Sequence, residues 1–319
     1  MSLDEFSFIA TWMRPLAHSC PGALDLADDA ALVPGPGDHD YVLASDALVA
    51  GVHMFPDDPP ASVAHKLLAV NCSDLAAMGA RPFAFLLTLK RPGELADDWL
   101  TGFARGLAEA QERFGLTLIG GDTVSGPGPL VLSATVLGRV PRGQALLRRG
   151  AVPGDDLWVS GTLGEAAIGL RILRGLALPE EDALGFIARY RYPEPRIELG
   201  RRLIGLASAA IDISDGLVAD LQHLARASQV AAVVEAERLP LSEAARIVPG
   251  ARESALFGGD DYELLFTADP AQRSRITALG GELGLALSRI GSIEAGEGVR
   301  VVDAEGREIA LDRPGWRHF

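Results

Sequence analysis

The chain has 319 residues, of which 48% are hydrophobic, and a net charge of −14 from 43 acidic and 29 basic residues. This length and hydrophobic content exclude a wholly disordered chain and predict about two domains. The negative charge argues against a nucleic-acid partner, because a polyanion is repelled unless basic residues cluster, and no basic cluster stands out.

The first half alternates short strands with helices. Runs rich in β-branched and apolar residues predict strands at 41–45, 83–89, 116–119 and 130–136. Longer periodic segments predict helices at 61–79 and 99–114. Around 140–155 the chain becomes rich in Gly, Pro and Arg, which indicates a linker. We therefore predict two domains, 1–140 and 141–319.

The second half repeats the mixed pattern. Strands are predicted at 157–160, 209–213, 231–235 and 262–266. Helices are predicted at 216–227 and from the glycine-bounded turn 161–164 to about residue 173. The backbone amides at that turn could bind an anion, although an ordinary strand-to-helix connection explains the same residues. Both halves therefore belong to the α/β (α+β) class.

Residue usage excludes several common kinds of protein. Cys20 and Cys72 are too few for a disulfide framework or a thiolate metal site, so we expect two free thiols. The only lysines, Lys66 and Lys90, stand in neither a P-loop motif nor a protein-kinase motif. The first residues are acidic and no apolar run approaches ~20 residues, so we expect a cytoplasmic protein without a membrane partner.

Aspartates mark the functional site. Most of them directly follow a predicted strand or lie in a glycine-bounded turn, where ligands collect in open α/β sheets: Asp28, Asp29, Asp46, Asp74, Asp122, Asp212, Asp215, Asp260 and Asp261. Taken alone, each could cap a helix or form an Asx-turn. Together, without His or Cys partners, they suit a hard cation such as Mg²⁺, which prefers to complete its coordination with phosphate oxygens.

Asp74 is unusual because it lies in an apolar helix, VNCSDLAAMGA, on the same face as Asn71. An unpaired buried charge is costly, and a nearby cation would remove that cost. The alternative is an exposed or hydrogen-bonded helical aspartate.

The segments DDAA, SDALVAGVH, GGDT, DISDGL and GGDDYEL, in this order and spacing, resemble the thiamine-monophosphate kinase family. This family belongs to the superfamily that includes aminoimidazole ribonucleotide synthetase. The resemblance runs nearly end to end. It implies an N-terminal α/β domain that dimerises through its sheet and a C-terminal α/β domain that closes over the nucleotide. It also implies phosphoryl transfer from ATP to thiamine monophosphate, giving thiamine diphosphate, with several Mg²⁺ ions.

The resemblance also implies a role for individual residues. The Mg²⁺ cluster would use Asp29, Ser45, Asp46, Asp74, Asp122, Asp212 and Asp215, of which Asp46, Asp122 and Asp215 are expected to be catalytic. The nucleotide would contact Gly121, Asp122, Arg148 and Ser214. The acceptor substrate would contact His53, Asp260 and Trp316.

The chain departs from the family pattern at three positions. Ala44 falls where the family can have a hydroxyl residue, so at most a backbone contact is expected from it. Ala27 stands where the family commonly has glycine, which questions the local backbone because glycine allows positive φ. Asp260 stands where glutamate is frequent.

Direct in-line transfer is the expected mechanism, because the acceptor phosphate is already ionised near neutral pH and needs no strong base. Trp316 and Asp260 could face the cationic thiazolium ring, although Trp316 could equally be a packing residue. Two other functions are compatible with the pattern. One is a related enzyme of the same superfamily, such as an ATP-dependent ring-closing synthetase or a selenophosphate synthetase. The latter uses a reactive Cys or selenocysteine and a Lys near the N-terminus, and Cys20 has no lysine close by. A non-catalytic nucleotide or metal sensor would not need the intact acceptor motif.

Overall fold

A computed structural model describes residues 5–309, which form two mixed β-sheets flanked by helices. The first sheet has the order β1-β2-β5-β3-β4, with β1 Ala31–Pro34, β2 His39–Val49, β3 Arg81–Arg91, β4 Leu118–Ser125 and β5 Val131–Pro141. All its pairings are antiparallel except β3 with β4, which is parallel. Before it lie α1 Glu5–Phe8, a π-helix Ile9–Met13, α2 Arg14–Ala17 and a 3₁₀ segment Pro21–Leu26.

Helices α3 Pro60–Ala77 and α4 Asp97–Phe114 pack together against this sheet. Helix α4 is amphipathic, begins with two acidic residues and ends at Gly115, whose φ of 71° supplies the left-handed cap. Helix α3 is buried along most of its length because it also contacts the second sheet. It therefore carries side chains to the junction between the two sheets.

The second sheet has the order β11-β8-β10-β6-β9-β7. Its strands are β6 Asp156–Ser160, β7 Ala209–Asp212, β8 Ala231–Glu235, β9 Leu264–Ala268, β10 Leu287–Glu294 and β11 Gly298–Val302. Its helices are α5 Glu165–Leu173, α6 Glu180–Arg191, α7 Ile197–Leu203, α8 Leu217–Ser228, α9 Glu243–Arg246, α10 Ala251–Phe257 and α11 Arg273–Leu283. Short 3₁₀ turns lie at Ala236–Arg238 and Pro270–Gln272.

The two-sheet α/β architecture confirms the predicted fold class. Two predicted strands are displaced: the strand predicted at 116–119 is Leu118–Ser125, and the strand predicted at 262–266 is Leu264–Ala268. Tyr262 has a φ of 50°, which no strand accommodates, so the preceding turn extends to this residue. The boundary near residue 140 stays a prediction. Within residues 5–309, no helix is long and apolar enough to cross a membrane.

Candidate active site

Three carboxylates from distant segments converge at the junction between the sheets. Asp29 precedes β1, Asp74 lies on α3 and Asp212 ends β7. Their nearest oxygens all lie within 4.8 Å of one another. The Ser73 hydroxyl donates to Asp212 Oδ2 at 2.6 Å, which ties α3 to β7 beside the cluster. The predicted convergence of these carboxylates is therefore present in the folded chain.

The cluster is electrostatically strained. Burial raises the pKa of Asp74 well above its usual range, and the charges of Asp46, Asp212 and Asp29 raise it further. Burial, reinforced by Asp29, raises the pKa of Asp212 to about 7. The charge of Asp46 on β2 therefore acts on the carboxylates of Asp74 and Asp212. A cation among these groups would favour their ionised forms.

Arg148, in the segment that joins the sheets, holds the first of these carboxylates. Its Nε and Nη2 donate to Asp29 Oδ1 at 3.0 and 2.5 Å, and its backbone N–H donates to Asp28 Oδ1 at 3.1 Å. Burial, together with the charge of Asp29, raises the pKa of Asp28 to about 6. Asp29 Oδ2 is buried and has no hydrogen-bond partner among the described residues. A buried carboxylate oxygen of this kind suits a metal ligand.

The neighbouring residues on β2 are fixed by the sheet and by α3. The Asp46 backbone N–H donates to Asn71 Oδ1 at 2.9 Å, so the buried Asn71 connects β2 to the helix that carries Asp74. The Ser45 hydroxyl donates to the Ala134 carbonyl at 3.1 Å and lies 3.0 Å from the Thr135 hydroxyl. Ser45 is thus bound within the sheet, whereas Asp46 couples to the carboxylate cluster.

The turn after β7 is organised by Asp220, a residue absent from the predicted site. Its Oδ2 accepts three backbone N–H groups, from Ser214, Asp215 and Gly216, at 3.0 to 3.1 Å. The carboxylate is buried at 4% exposure. It therefore fixes the loop that presents Ser214 and Asp215. From sequence alone Asp220 is an ordinary helical aspartate. Its position four residues after Gly216 is the one local feature consistent with the bond from the Gly216 N–H.

The glycine turn at 161–164 does not present a vacant anion site. Asp261 Oδ2 accepts from the Gly164 N–H at 2.8 Å, so a side chain of the protein takes that amide. This geometry favours the ordinary strand-to-helix connection.

The predicted acceptor residues lie on both sides of the junction. His53 Nδ1 accepts from the Val49 N–H at 3.0 Å, which orients the ring after β2. Asp260 Oδ1 pairs with Lys66 Nζ at 3.0 Å, and the backbone N–H of Asp260 donates to the Ser214 carbonyl at 2.9 Å. The predicted acceptor residue Asp260 is thereby connected to Ser214, which is predicted to contact the nucleotide. Trp316 lies outside the described residues.

Both halves of the chain match models of known protein domains. Models for the AIR synthase related protein N-terminal and C-terminal domains match residues 27–140 and 152–304. The thiamine-monophosphate kinase of Caulobacter vibrioides is 44% identical, over 98% of this chain and 90% of its own. The chain belongs to the thiamine-monophosphate kinase family.

Two solved structures of this family extend the similarity to the fold. Thiamine-monophosphate kinase from Stenotrophomonas maltophilia superposes with a TM-score of 0.80 at 43% identity, over 97% of this chain and 99% of the other. The structure of AaThiL complexed with AMPPCP and TMP superposes with a TM-score of 0.86 at 32% identity, over 99% and 97% of the two chains. The resemblance inferred from the motifs is confirmed.

Gly121 and Asp122, from the GGDT motif of this family, lie apart from the other carboxylates. The register pairs Asp46 with Ala134 on β5, Ala134 with Leu87 on β3, and Leu87 with Gly121 on β4. Three strand spacings of about 4.8 Å separate Asp46 from Gly121 and its neighbour Asp122 by roughly 14 Å along the sheet. That separation is too wide for Asp46 and Asp122 of one chain to bind a single ion.

Gly121 also has a structural role, because a Cβ at this position would lie 1.8 Å from the Leu87 carbonyl oxygen. The close approach of β3 and β4 therefore requires glycine here.

Ala27, where the family commonly has glycine, does not need the positive φ that glycine allows. Ala27 adopts φ −125° and ψ 10°, which an alanine accommodates, whereas the preceding Leu24, Asp25 and Leu26 have φ between 50° and 58°. The strained turn before Asp29 does not depend on residue 27.

Proposed function

We propose that this protein transfers the γ-phosphoryl group of ATP to thiamine monophosphate and so forms thiamine diphosphate. The observation that carries this proposal is the carboxylate cluster of Asp29, Asp74 and Asp212 at the sheet junction. It lies in a chain that matches thiamine-monophosphate kinases over nearly its whole length. A similar structure, superposing over 99% of this chain, holds AMPPCP and TMP. A cytoplasmic location, expected from the sequence, is part of the same proposal.

The donor set fits Mg²⁺, because it consists of carboxylate oxygens, one of them buried without a hydrogen-bond partner among the described residues. Asp29, Asp46, Asp74 and Asp212 would hold the ions, with Asp215 at the neighbouring turn. Bound Mg²⁺ would neutralise the charge of the ATP phosphates. Asp220 fixes the backbone of Ser214 and Asp215, and Arg148 fixes Asp29, so these two side chains orient the groups that receive the nucleotide.

The transfer itself needs positioning more than proton abstraction. The acceptor is a phosphate monoester whose second pKa is about 6, so it is mostly a dianion near neutral pH. In-line attack of one of its oxygens on the γ-phosphorus forms the new P–O bond as the bond to ADP breaks. His53 and Asp260 would orient the acceptor, with Asp260 and Trp316 beside the cationic thiazolium.

One assay tests the proposal. Purified protein is incubated with ATP, Mg²⁺ and thiamine monophosphate, and the products are separated by chromatography. We expect thiamine diphosphate and ADP in equal amounts. Thiamine, pyridoxal phosphate and aminoimidazole precursors serve as alternative acceptors. Turnover of one of these without turnover of thiamine monophosphate would contradict the proposal.

We further propose that the protein works as a homodimer in which Asp122 of one copy completes the site of the other. Every residue of the edge strand β4 is exposed, including the apolar Leu118, Ile119 and Val124. An exposed apolar edge strand promotes aggregation unless it is covered, and a second copy of the chain would cover it. The separation of Asp122 from Asp46 within one chain supports the same arrangement.

Mixing two inactive variants tests the shared site. Asp46→Asn and Asp122→Asn subunits are each assayed alone and after exchange. If Asp122 acts across the interface, half of the randomly mixed dimers carry one intact site, and about a quarter of wild-type activity returns. Light scattering should show a dimer. If subunit exchange is proven and the mixture recovers no activity, Asp122 belongs to the site of its own chain.

A further inference from the structure

Lys66 is a buried cation at the acceptor side of the junction. It lies on α3, its side chain is 3% exposed, and its ammonium makes three close contacts. Nζ is 3.0 Å from Asp260 Oδ1, donates to the His53 carbonyl at 3.2 Å, and lies 3.8 Å from the centre of the Tyr190 ring. A buried lysine is costly unless it is paired, and these contacts supply its partners.

The contacts join the two groups that the proposed function assigns to the acceptor. His53 and Lys66 belong to the part of the chain that builds the first sheet, whereas Asp260 and Tyr190 belong to the second. The Tyr190 hydroxyl also donates to the His53 carbonyl at 3.2 Å. Lys66 therefore connects the loop after β2 with the turn before β9 across the junction.

An ammonium has three N–H donors. Among the described residues, Asp260, the His53 carbonyl and the Tyr190 ring match those three donors in number. The ammonium is thereby committed to the protein, and its influence on a substrate passes through Asp260 and His53. Asp260 has a φ of 70°, in the left-handed region that favours glycine, and its pair with Lys66 is one of the contacts that hold it there.

We propose that Lys66 is the positioning residue of the acceptor site, setting the carboxylate of Asp260 against the His53 loop so that a cationic, phosphorylated acceptor binds between them. The inference rests on the proposed function. It is specific to the acceptor because Lys66 and Asp74 are eight residues apart on α3, about 12 Å along the helix axis. Loss of Lys66 should therefore disturb acceptor binding and leave the nucleotide side largely intact.

Steady-state kinetics of Lys66→Met test this inference, with Lys90→Met as the matched control. Lys90 is the other lysine of the chain, and its Nζ donates to the Pro127 and Pro129 carbonyls rather than to Asp260 or His53. We expect Lys66→Met to raise KM for thiamine monophosphate about tenfold or more, while KM for ATP changes less than about twofold. Lys90→Met should leave both constants near wild type.

A double-mutant cycle separates positioning from a general structural effect. If Lys66 acts through Asp260, the Lys66→Met change should raise KM for the acceptor much less in an Asp260→Asn background than in wild type. The inference would be overturned if the fold-changes in acceptor KM of the two single variants multiply in the double variant. It would also be overturned if Lys66→Met raises KM for both substrates equally. Lys66→Gln, which keeps a hydrogen-bonding group, carries the same test if Lys66→Met does not fold. Failure of the wild-type protein to phosphorylate thiamine monophosphate would refute the function itself, whereas wild-type turnover with unchanged acceptor KM in both Lys66 variants would refute only the role of Lys66.

Discussion

Replacing Asp74 by Asn should stabilise the metal-free protein while removing its activity. The oxygens of Asp29, Asp74 and Asp212 lie within 4.8 Å of one another. At an effective dielectric constant of about 20, two unit charges at that distance repel by roughly 3 kcal/mol. Partial protonation and the guanidinium of Arg148 beside Asp29 weaken this repulsion. We therefore expect Asp74→Asn to raise the free energy of unfolding by about 1–3 kcal/mol at pH 8.

The gain should depend on pH with a definite sign. Burial and the neighbouring carboxylates raise the pKa of Asp74, so the folded protein keeps a proton that the unfolded chain releases above about pH 4. The stability of the wild-type protein therefore falls as the pH rises toward 8. The Asn variant has no such proton. The difference in stability between the two proteins should be smaller at pH 5 than at pH 8.

Thermal unfolding in the presence of a chelator measures this difference. The expected rise in Tm for Asp74→Asn at pH 8 is roughly 2–6 °C. Mg²⁺ should raise the Tm of the wild-type protein more than that of the variant, and kcat of the variant should fall about 100-fold or more. Asp38→Asn, at a fully exposed aspartate, is the control and should change neither quantity. The reasoning is refuted if Asp74→Asn gives no gain in chelator at pH 8, or if it keeps wild-type kcat.

Four further outcomes are expected. Excess chelator should abolish turnover and added Mg²⁺ or Mn²⁺ should restore it, and full turnover in chelator would contradict the metal assignment. Asp220→Ala should release the Ser214 and Asp215 amides and raise KM for ATP more than KM for the acceptor, and an unchanged KM for ATP would contradict this role. Trp316→Ala should raise KM for thiamine monophosphate more than KM for ATP, and Arg148→Ala should show the reverse; equal effects on both substrates would support packing roles. His53→Asn should keep substantial kcat at saturating acceptor from pH 6 to 9, whereas a loss of about three orders of magnitude at every pH would show that His53 acts as a base.

The sequence predicts those features that depend on short local patterns. Helices α3 and α4 and the strands around them have clear periodicity, and the aspartates stand out because they follow strands or adjoin glycines. Arg148 and the acceptor role of Asp260 were reached only through the family resemblance. The partnership of Arg148 with Asp29 could not be predicted, since 119 residues separate them along the chain.

Asp220 and Lys66 were missed as functional candidates for a physical reason. Each lies on an amphipathic or buried helix at a position where a charged residue is ordinarily solvent-exposed, and no local signal shows that the charge is buried. The partners of Asp220 are backbone amides of the preceding turn. Lys66 pairs with Asp260, which belongs to the second half of the chain. Such positioning residues depend on tertiary contacts, which a single sequence does not display.

The position of the carboxylate cluster links stability to ligand binding. Asp29 and Asp74 come from the first half of the chain and Asp212 from the second, so their repulsion opposes close contact between the two sheets. The Ser73 bond to Asp212 and the Arg148 bonds to Asp29 hold the junction together against that repulsion. Cations that neutralise the carboxylates would strengthen the same junction. The proposed nucleotide site and the contact between the sheets would therefore be stabilised by the same event, and metal binding should tighten the junction that also carries the proposed acceptor residues His53 and Asp260.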